Sequence, residues 1–311
     1  MKILAFCIVL FSFAAAGYCG DKPESVKTLY EKVYDQFSSL TPDPGKVADV
    51  TNLVLTRDVA RFSFHKGKFY FCKPVENRTC AAVFIGEGSF QFTPPGDVEQ
   101  DQLFRFKEHR SLDEQFSSLL FIFADTTAEE LQRQLTIGAG TIPVEAERII
   151  RDCLGYMGEH DSKFFPPEII KPFIEQEMND LFFAQVGQGH NPLFFEIDPH
   201  AREQVSLSLP VKTLHHKWTE TINQFCRQGD SPKARVRSRK EGDYQVQKYV
   251  IDATFKSGLE AFVQTHVAFA SLLDDQRSIY FELFPDMKID SVFWEDGSKA
   301  NVFQGEDNYA L

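Results

Sequence analysis

The 311 residues contain no H-E-x-x-H run, no G-x-S-x-G elbow and no glycine-rich phosphate loop. Each absence removes a way of doing chemistry: two imidazoles one helical turn apart that grip zinc, a serine raised on a strand-to-helix turn, a nest of amides around a phosphate. Positive charge is also scarce. With 33 Lys and Arg against 45 Asp and Glu the net charge is −12, and the phosphates of a nucleic acid would be repelled. Beyond the amino terminus no run is long and apolar enough for a membrane helix, which needs about 20 residues. Cysteine is sparse, and the four beyond residue 20, Cys72, Cys80, Cys153 and Cys226, have no zinc-binding spacing.

What is present begins with Met1-Lys2 and an apolar run from Ile3 to Gly17. One positive charge, a short apolar stretch and a small-residue end describe a secretory signal peptide, with cleavage expected after Ala16, Gly17 or Gly20. The mature chain is expected to be secreted or periplasmic. Cys19 follows Tyr18 rather than a small residue, which argues against lipidation. An oxidising compartment favours disulfides. A three-residue loop centred on Glu76 would set Cys72 opposite Cys80, so a Cys72–Cys80 bridge fits; two buried free thiols fit as well. Asn77-Arg78-Thr79 is a glycosylation acceptor in a eukaryotic host.

Phenylalanine stands out, 31 residues, and aromatic side chains favour half-buried strands. Helical spacing follows Pro23 through Val26, Leu29, Tyr30, Val33, Phe37 and Leu40. Short alternating runs then predict strands at 60–65, 68–72, 81–86, 89–93 and 119–124, with turns at Lys66-Gly67 and Gly86-Glu87-Gly88. Thr126 with Glu129, or Thr127 with Glu130, has capping-box spacing. Helices are expected through 144–150 and over 168–186, the latter from Ile170, Phe173, Ile174, Met178, Leu181 and Phe182. Strands resume at 193–199, 204–209, 246–256, 259–269, 279–284 and 289–294, and Asp296-Gly297 is a hairpin turn. The fold class is mostly β with helical segments: an antiparallel meander with helices, then an antiparallel β-sandwich. The expected divisions are 1–20 as the signal, 21–192 as the first domain and 193–311 as the second, split at the turn-rich 187–192.

Few residues invite chemistry. On a helix, His216 and Glu220 would lie one turn apart, but two ligands do not make a catalytic zinc site. Gly86-Glu87-Gly88 sits between strands, where a turn accounts for it. Asp97, Glu99 and Asp101 read as a solvated helix start favoured by the helix dipole. Lys233, Arg235, Arg237, Arg239 and Lys240 form the one basic run, a solvated loop or a contact for an acidic partner. No catalytic, cofactor-binding or metal-ligating residue is assigned.

Two stretches carry a resemblance. Leu53-Val54-Leu55, the run from Phe69 to Val75, the run from Ala82 to Phe90 and Phe92-Thr93-Pro94-Pro95 resemble the amino-terminal region of bacterial secreted proteins related to the aminopeptidase N family of zinc peptidases. Tyr249 to Thr254, continuing through Trp294-Glu295-Asp296-Gly297 to Gln304-Gly305, is similar to the β-sandwich that precedes that family's catalytic domain. The resemblance implies a non-catalytic accessory region that supports or gates a peptidase domain expected to follow Leu311. Zinc would belong to that domain, because neither the family's H-E-x-x-H nor its glycine-x-methionine-x-asparagine strand occurs here. The alternative is a stand-alone exported sandwich that binds a peptide, a protein or a glycan.

Overall fold

The computed structural model describes residues 4–11, 29–157, 166–174, 179–188, 192–199, 201, 203–212, 217–228, 244–256, 260–272, 279, 281–283, 287–300, 302 and 309–310. In chain order the elements are β1 (Leu4–Phe11), α1 (Leu29–Ser38), β2 (Pro42–Arg57), β3 (Ala60–Cys72), β4 (Ala81–Phe92), α2 (Asp97–Lys107) and β5 (Leu112–Phe123). Next come α3 (Thr127–Gln134), β6 (Ile137–Gly138), α4 (Val144–Met157), α5 (Pro166–Ile174), β7 (Phe182–Val186), β8 (Leu193–Ile197), β9 (Val205–Lys212) and β10 (Lys217–Phe225). The chain ends with β11 (Tyr244–Phe255), β12 (Ala261–Ser271), β13 (Phe281–Glu282), β14 (Ile289–Trp294) and β15 (Tyr309–Ala310). The protein is mostly β, 53% strand and 21% helix. It divides into two compact units, Asp35–Arg239 and Met1–Tyr34 with Lys240–Leu311.

The larger unit is one nine-stranded antiparallel sheet in the order β10-β9-β8-β7-β5-β4-β3-β2-β6. Alternation along each strand sends one set of side chains to a common face. Phe62, Phe64, Phe69 and Phe71 of β3, Phe84, Phe90 and Phe92 of β4, and Phe121 and Phe123 of β5 belong to it, as do Phe182 of β7 and Phe195 of β8. In a flat sheet β3 and β8, four strand spacings apart, would be separated by about 19 Å. The rings of Phe62 and Phe195 are 5.9 Å apart. The sheet is therefore rolled, with the phenylalanine face inside. Leu103 of α2 and Ala128 and Leu131 of α3 complete this interior. On the outer face α4 packs against β4 and β5, and Val83, Leu120 and Ile122 are buried there.

Two glycines allow the bend. Lys66-Gly67 and Gly86-Glu87-Gly88 were expected to be turns between short strands; instead β3 and β4 run through them as long strands with bulges. Gly67 lies opposite Gly86, and Lys66 opposite Glu87. A Cβ on Gly67 would sit 2.5 Å from the Ile85 carbonyl oxygen, and one on Gly86 2.3 Å from that of Lys66. Gly86 also has φ +154°, a conformation that L side chains rarely adopt. A bulge without side chains on either strand lets the ladder twist sharply.

Other expectations change as well. The last five residues of the helix expected over 168–186 are β7, buried at every position. Its residues are covered on both faces, so the period-2 signal is lost. The domain boundary expected at 192/193 falls between β7 and β8, which pair directly from Phe182↔Ile197 to Val186↔Leu193. The two strands that flank the expected boundary therefore belong to one sheet. The helix expected from Pro23 is described from Leu29 as α1.

One part-buried polar knot ties the start of α3 to the sheet. Arg57 Nε donates to Asp125 Oδ2 at 2.9 Å, and its Nη2 donates to Glu130 Oε2 at 3.0 Å and Thr127 Oγ1 at 2.6 Å. Asp125 Oδ1 accepts from the Thr127 amide, so the helix is capped by Asp125 and the expected capping box does not form. The Arg57 guanidinium lies 5.1 Å from the Phe182 ring centre. With Arg57 and Asp125 only 13% and 12% exposed, Arg57→Met leaves two carboxylates without their cation. The expected cost is about 2–4 kcal/mol in urea unfolding, and Arg57→Lys should recover part of it.

The smaller unit carries a four-stranded sheet, β11-β12-β1-β14, and the two-stranded β13-β15. The apolar run Leu4–Phe11 pairs with β12 on one side and β14 on the other. Phe281 of β13 lies over Tyr244 and Phe269 at 5.4 and 6.4 Å, so the small sheet covers a face of the larger one. Asp296-Gly297 forms the expected turn, with Gly297 at φ +81°.

Candidate functional site

A cleft of about 410 Å³ lies at the β2 edge of the nine-stranded sheet. Its floor is two cross-strand pairs, Val47 with Tyr70 and Asp49 with Lys68. Its wall is the segment 136–141, Thr-Ile-Gly-Ala-Gly-Thr, held by β6 pairing with Val47 and Ala48 and by the Gly140 amide donating to the Pro44 carbonyl at 2.8 Å. A Cβ on Gly140 would lie 2.9 Å from that of Val47, so glycine lets the wall lie this close. Gly138 has open space where its side chain would be.

Lys68 Nζ donates to Asp49 Oδ1 at 2.6 Å, and that carboxylate raises the lysine pKa. Tyr70 is buried, and burial pushes its phenol pKa up. At neutral pH the cleft thus offers an ammonium, a carboxylate and a protonated phenol. These are groups for holding a small polar molecule, within the usual size range of ligand sites. None of the cleft residues was singled out in the sequence. Asp49 and Lys68 are 19 positions apart, and only the β2–β3 register brings them together.

A second polar cluster is structural. Gln188 Nε2 donates to Ser118 Oγ at 2.8 Å and to Glu145 Oε1 at 3.3 Å, and Arg148 Nη2 donates to Gln188 Oε1 at 2.8 Å. This fastens α4 to the middle of β5 and to the segment after β7. The Gln185 amide oxygen beside it is buried without a partner.

The two cysteines singled out by spacing are free, buried thiols. The expected three-residue loop is a two-residue turn, with Glu76 at φ +44°, Asn77 at φ +65° and Val75 bridging Arg78. Positive φ at both central residues makes it a primed hairpin turn. The β3–β4 register, with Phe71 opposite Ala82, sets Cys72 against Ala81 rather than Cys80. Burial raises the Cys72 thiol well above its usual value, pushes Cys80 up to about 12 and raises Cys153 too. Buried, protonated thiols are poor nucleophiles. All three are expected to resist labelling until the chain unfolds. Their folded pKa values lie above 9.0, so the unfolded chain loses its protons first as pH rises. Stability should hold below pH 9 and then fall by about 1.4 kcal/mol per pH unit for each thiol, toward pH 12 for Cys80. A flat urea midpoint from pH 8 to pH 11 would contradict this.

The remaining candidates scatter. His215 and His216 lie outside the described residues, and Glu220 stands on the strand β10 opposite Leu209. The basic run 233–240 also lies outside them. Asp97 and Glu99 occupy the first turn of α2, as expected of a helix start, and Asp101 pairs with Arg110 at 2.6 Å on the surface. Among the described residues, no group of three or more His, Cys, Asp or Glu could hold a metal ion. No family model, no curated protein and no solved structure matches the chain.

Proposed function

We propose that the chain is a non-catalytic accessory region of an exported aminopeptidase N-like metallopeptidase, which supports or gates a catalytic domain and its zinc. The observation that supports this reading is the phenylalanine interior. The interior of the rolled sheet is filled by phenylalanine rings in tilted and edge-to-face contact, leaving no room there for a substrate. A solid roll is a rigid scaffold, suited to holding another domain in place.

The test is an aminoacyl reporter assay on the purified chain with zinc added, beside metal analysis. No turnover and no retained metal are expected. Stoichiometric zinc that survives dialysis, together with chelator-sensitive turnover, would overturn the reading. The Asp49–Lys68–Tyr70 cleft favours a second reading, a stand-alone module that binds a small polar ligand or a peptide end. A ligand that binds the chain, and binds at least tenfold more weakly after Lys68→Ala, would favour it.

A further inference from the structure

We propose that the outer edge of β11 is an interface between two copies of this chain, paired antiparallel about a two-fold axis through Val250. β11 is the end strand of its sheet, and among the described residues no strand lies on its outer side. It is 12 residues long, and after the bulge between Val246 and Lys248 its ladder with β12 is regular to Phe255. Tyr249, Ile251 and Phe255 are 53%, 60% and 78% exposed. A long, regular edge with exposed aromatic and β-branched side chains is a template for another strand.

The sequence of the edge selects the occupant. Lys248-Tyr249-Val250-Ile251-Asp252 reads the same in charge pattern from either end once one end is inverted in sign. Antiparallel pairing of two copies about Val250 sets Lys248 of each copy opposite Asp252 of the other. It forms two cross-strand ion pairs and places Tyr249 opposite Ile251 twice, an aromatic with a β-branched residue. Sliding the register so that the axis passes through Asp252 would set Asp252 against Asp252 and Lys248 against Lys256. The charges therefore favour one register and penalise that alternative. An isologous contact of this kind closes on itself and joins the β11–β12 pairs of the two copies into one continuous sheet.

The test is sedimentation equilibrium and mild oxidation of the full chain with five variants, each checked for a native circular dichroism spectrum. The wild type should be a dimer. Asp252→Lys sets lysine against lysine at both pairs and should weaken dimerisation at least about tenfold. The double variant K248D/D252K exchanges the charges, leaves the pairing intact and should restore it. V250C places two sulfurs at the axis, where opposed Cα atoms are about 4.5–5.5 Å apart, and should give a disulfide-linked dimer under mild oxidation. Y249C and I251C face each other's partner positions and should not link to themselves. A monomeric wild type, a dimer indifferent to Asp252→Lys, a double variant that stays monomeric, or V250C that links only to a different protein would each overturn the proposal.

Discussion

A Phe62→Ala chain is expected to unfold with a loss of about 3–5 kcal/mol. The ring is fully buried and lies 5.1 Å from that of Phe90, 5.3 Å from Phe121, 5.8 Å from Phe182 and 5.9 Å from Phe195. Those four rings come from β4, β5, β7 and β8, so one side chain joins five strands. Its removal costs the transfer energy of the ring and leaves a hole that a rolled sheet cannot easily collapse. The loss is a large share of the roughly 5–15 kcal/mol that keeps a domain folded. Phe62→Leu should cost less, and Val98→Ala, on a residue 79% exposed, should stay within about 0.5 kcal/mol. Urea midpoints with unchanged slopes are the measurement. A loss below about 1.5 kcal/mol would mean that the interior is not packed around this ring.

Gly86→Val is expected to cost about as much, for a different reason. The added Cβ would meet the Lys66 carbonyl oxygen at 2.3 Å and the Gly67 Cα at 2.5 Å, both backbone atoms that no rotamer change can move aside. The positive φ adds strain of about 1–3 kcal/mol, and forced separation of the strands adds a comparable amount. Gly86→Ala should already show most of the loss. Gly138→Ala is the contrast, because nothing lies within 4 Å of the atom it adds. If both alanine variants unfold at the wild-type midpoint, the bulge does not need its glycine.

The class of the fold was legible in the sequence because alternation at 60–72 and 81–92 is strong, and half-buried strands print it directly. Three features were not. Phe182–Val186 is buried on both faces, so its run of apolar residues could not be told from a helix continuing from Phe173 and Ile174. Lys66-Gly67 and Gly86-Glu87-Gly88 carry turn residues because bulges need the same backbone freedom as turns. The candidate cleft depends on the register of β2 against β3, and β2 begins in Pro42-Asp43-Pro44-Gly45, which reads as a breaker. The cysteine pair shows the same sensitivity. A loop of two residues rather than three shifts the register by one and turns Cys72 toward a different neighbour.

The strand order also dictates how the sheet can assemble. β2 to β5 form one run of neighbouring strands joined locally, and β7 to β10 form another. The two runs meet along a single seam, from Leu119↔Val186 to Phe123↔Phe182. Between the paired ends Phe123 and Phe182 lie α3, β6, α4 and α5, so the seam closes a longer loop than any within either run, the longest of which carries α2 between β4 and β5. The phenylalanine face is shared across that seam, with Phe62 and Phe121 on one side and Phe182 and Phe195 on the other. Loop-closure entropy leads us to expect the two meanders to form before the seam, each with a bare aromatic face until the seam closes. A change that weakens the seam is then expected to favour aggregation during refolding.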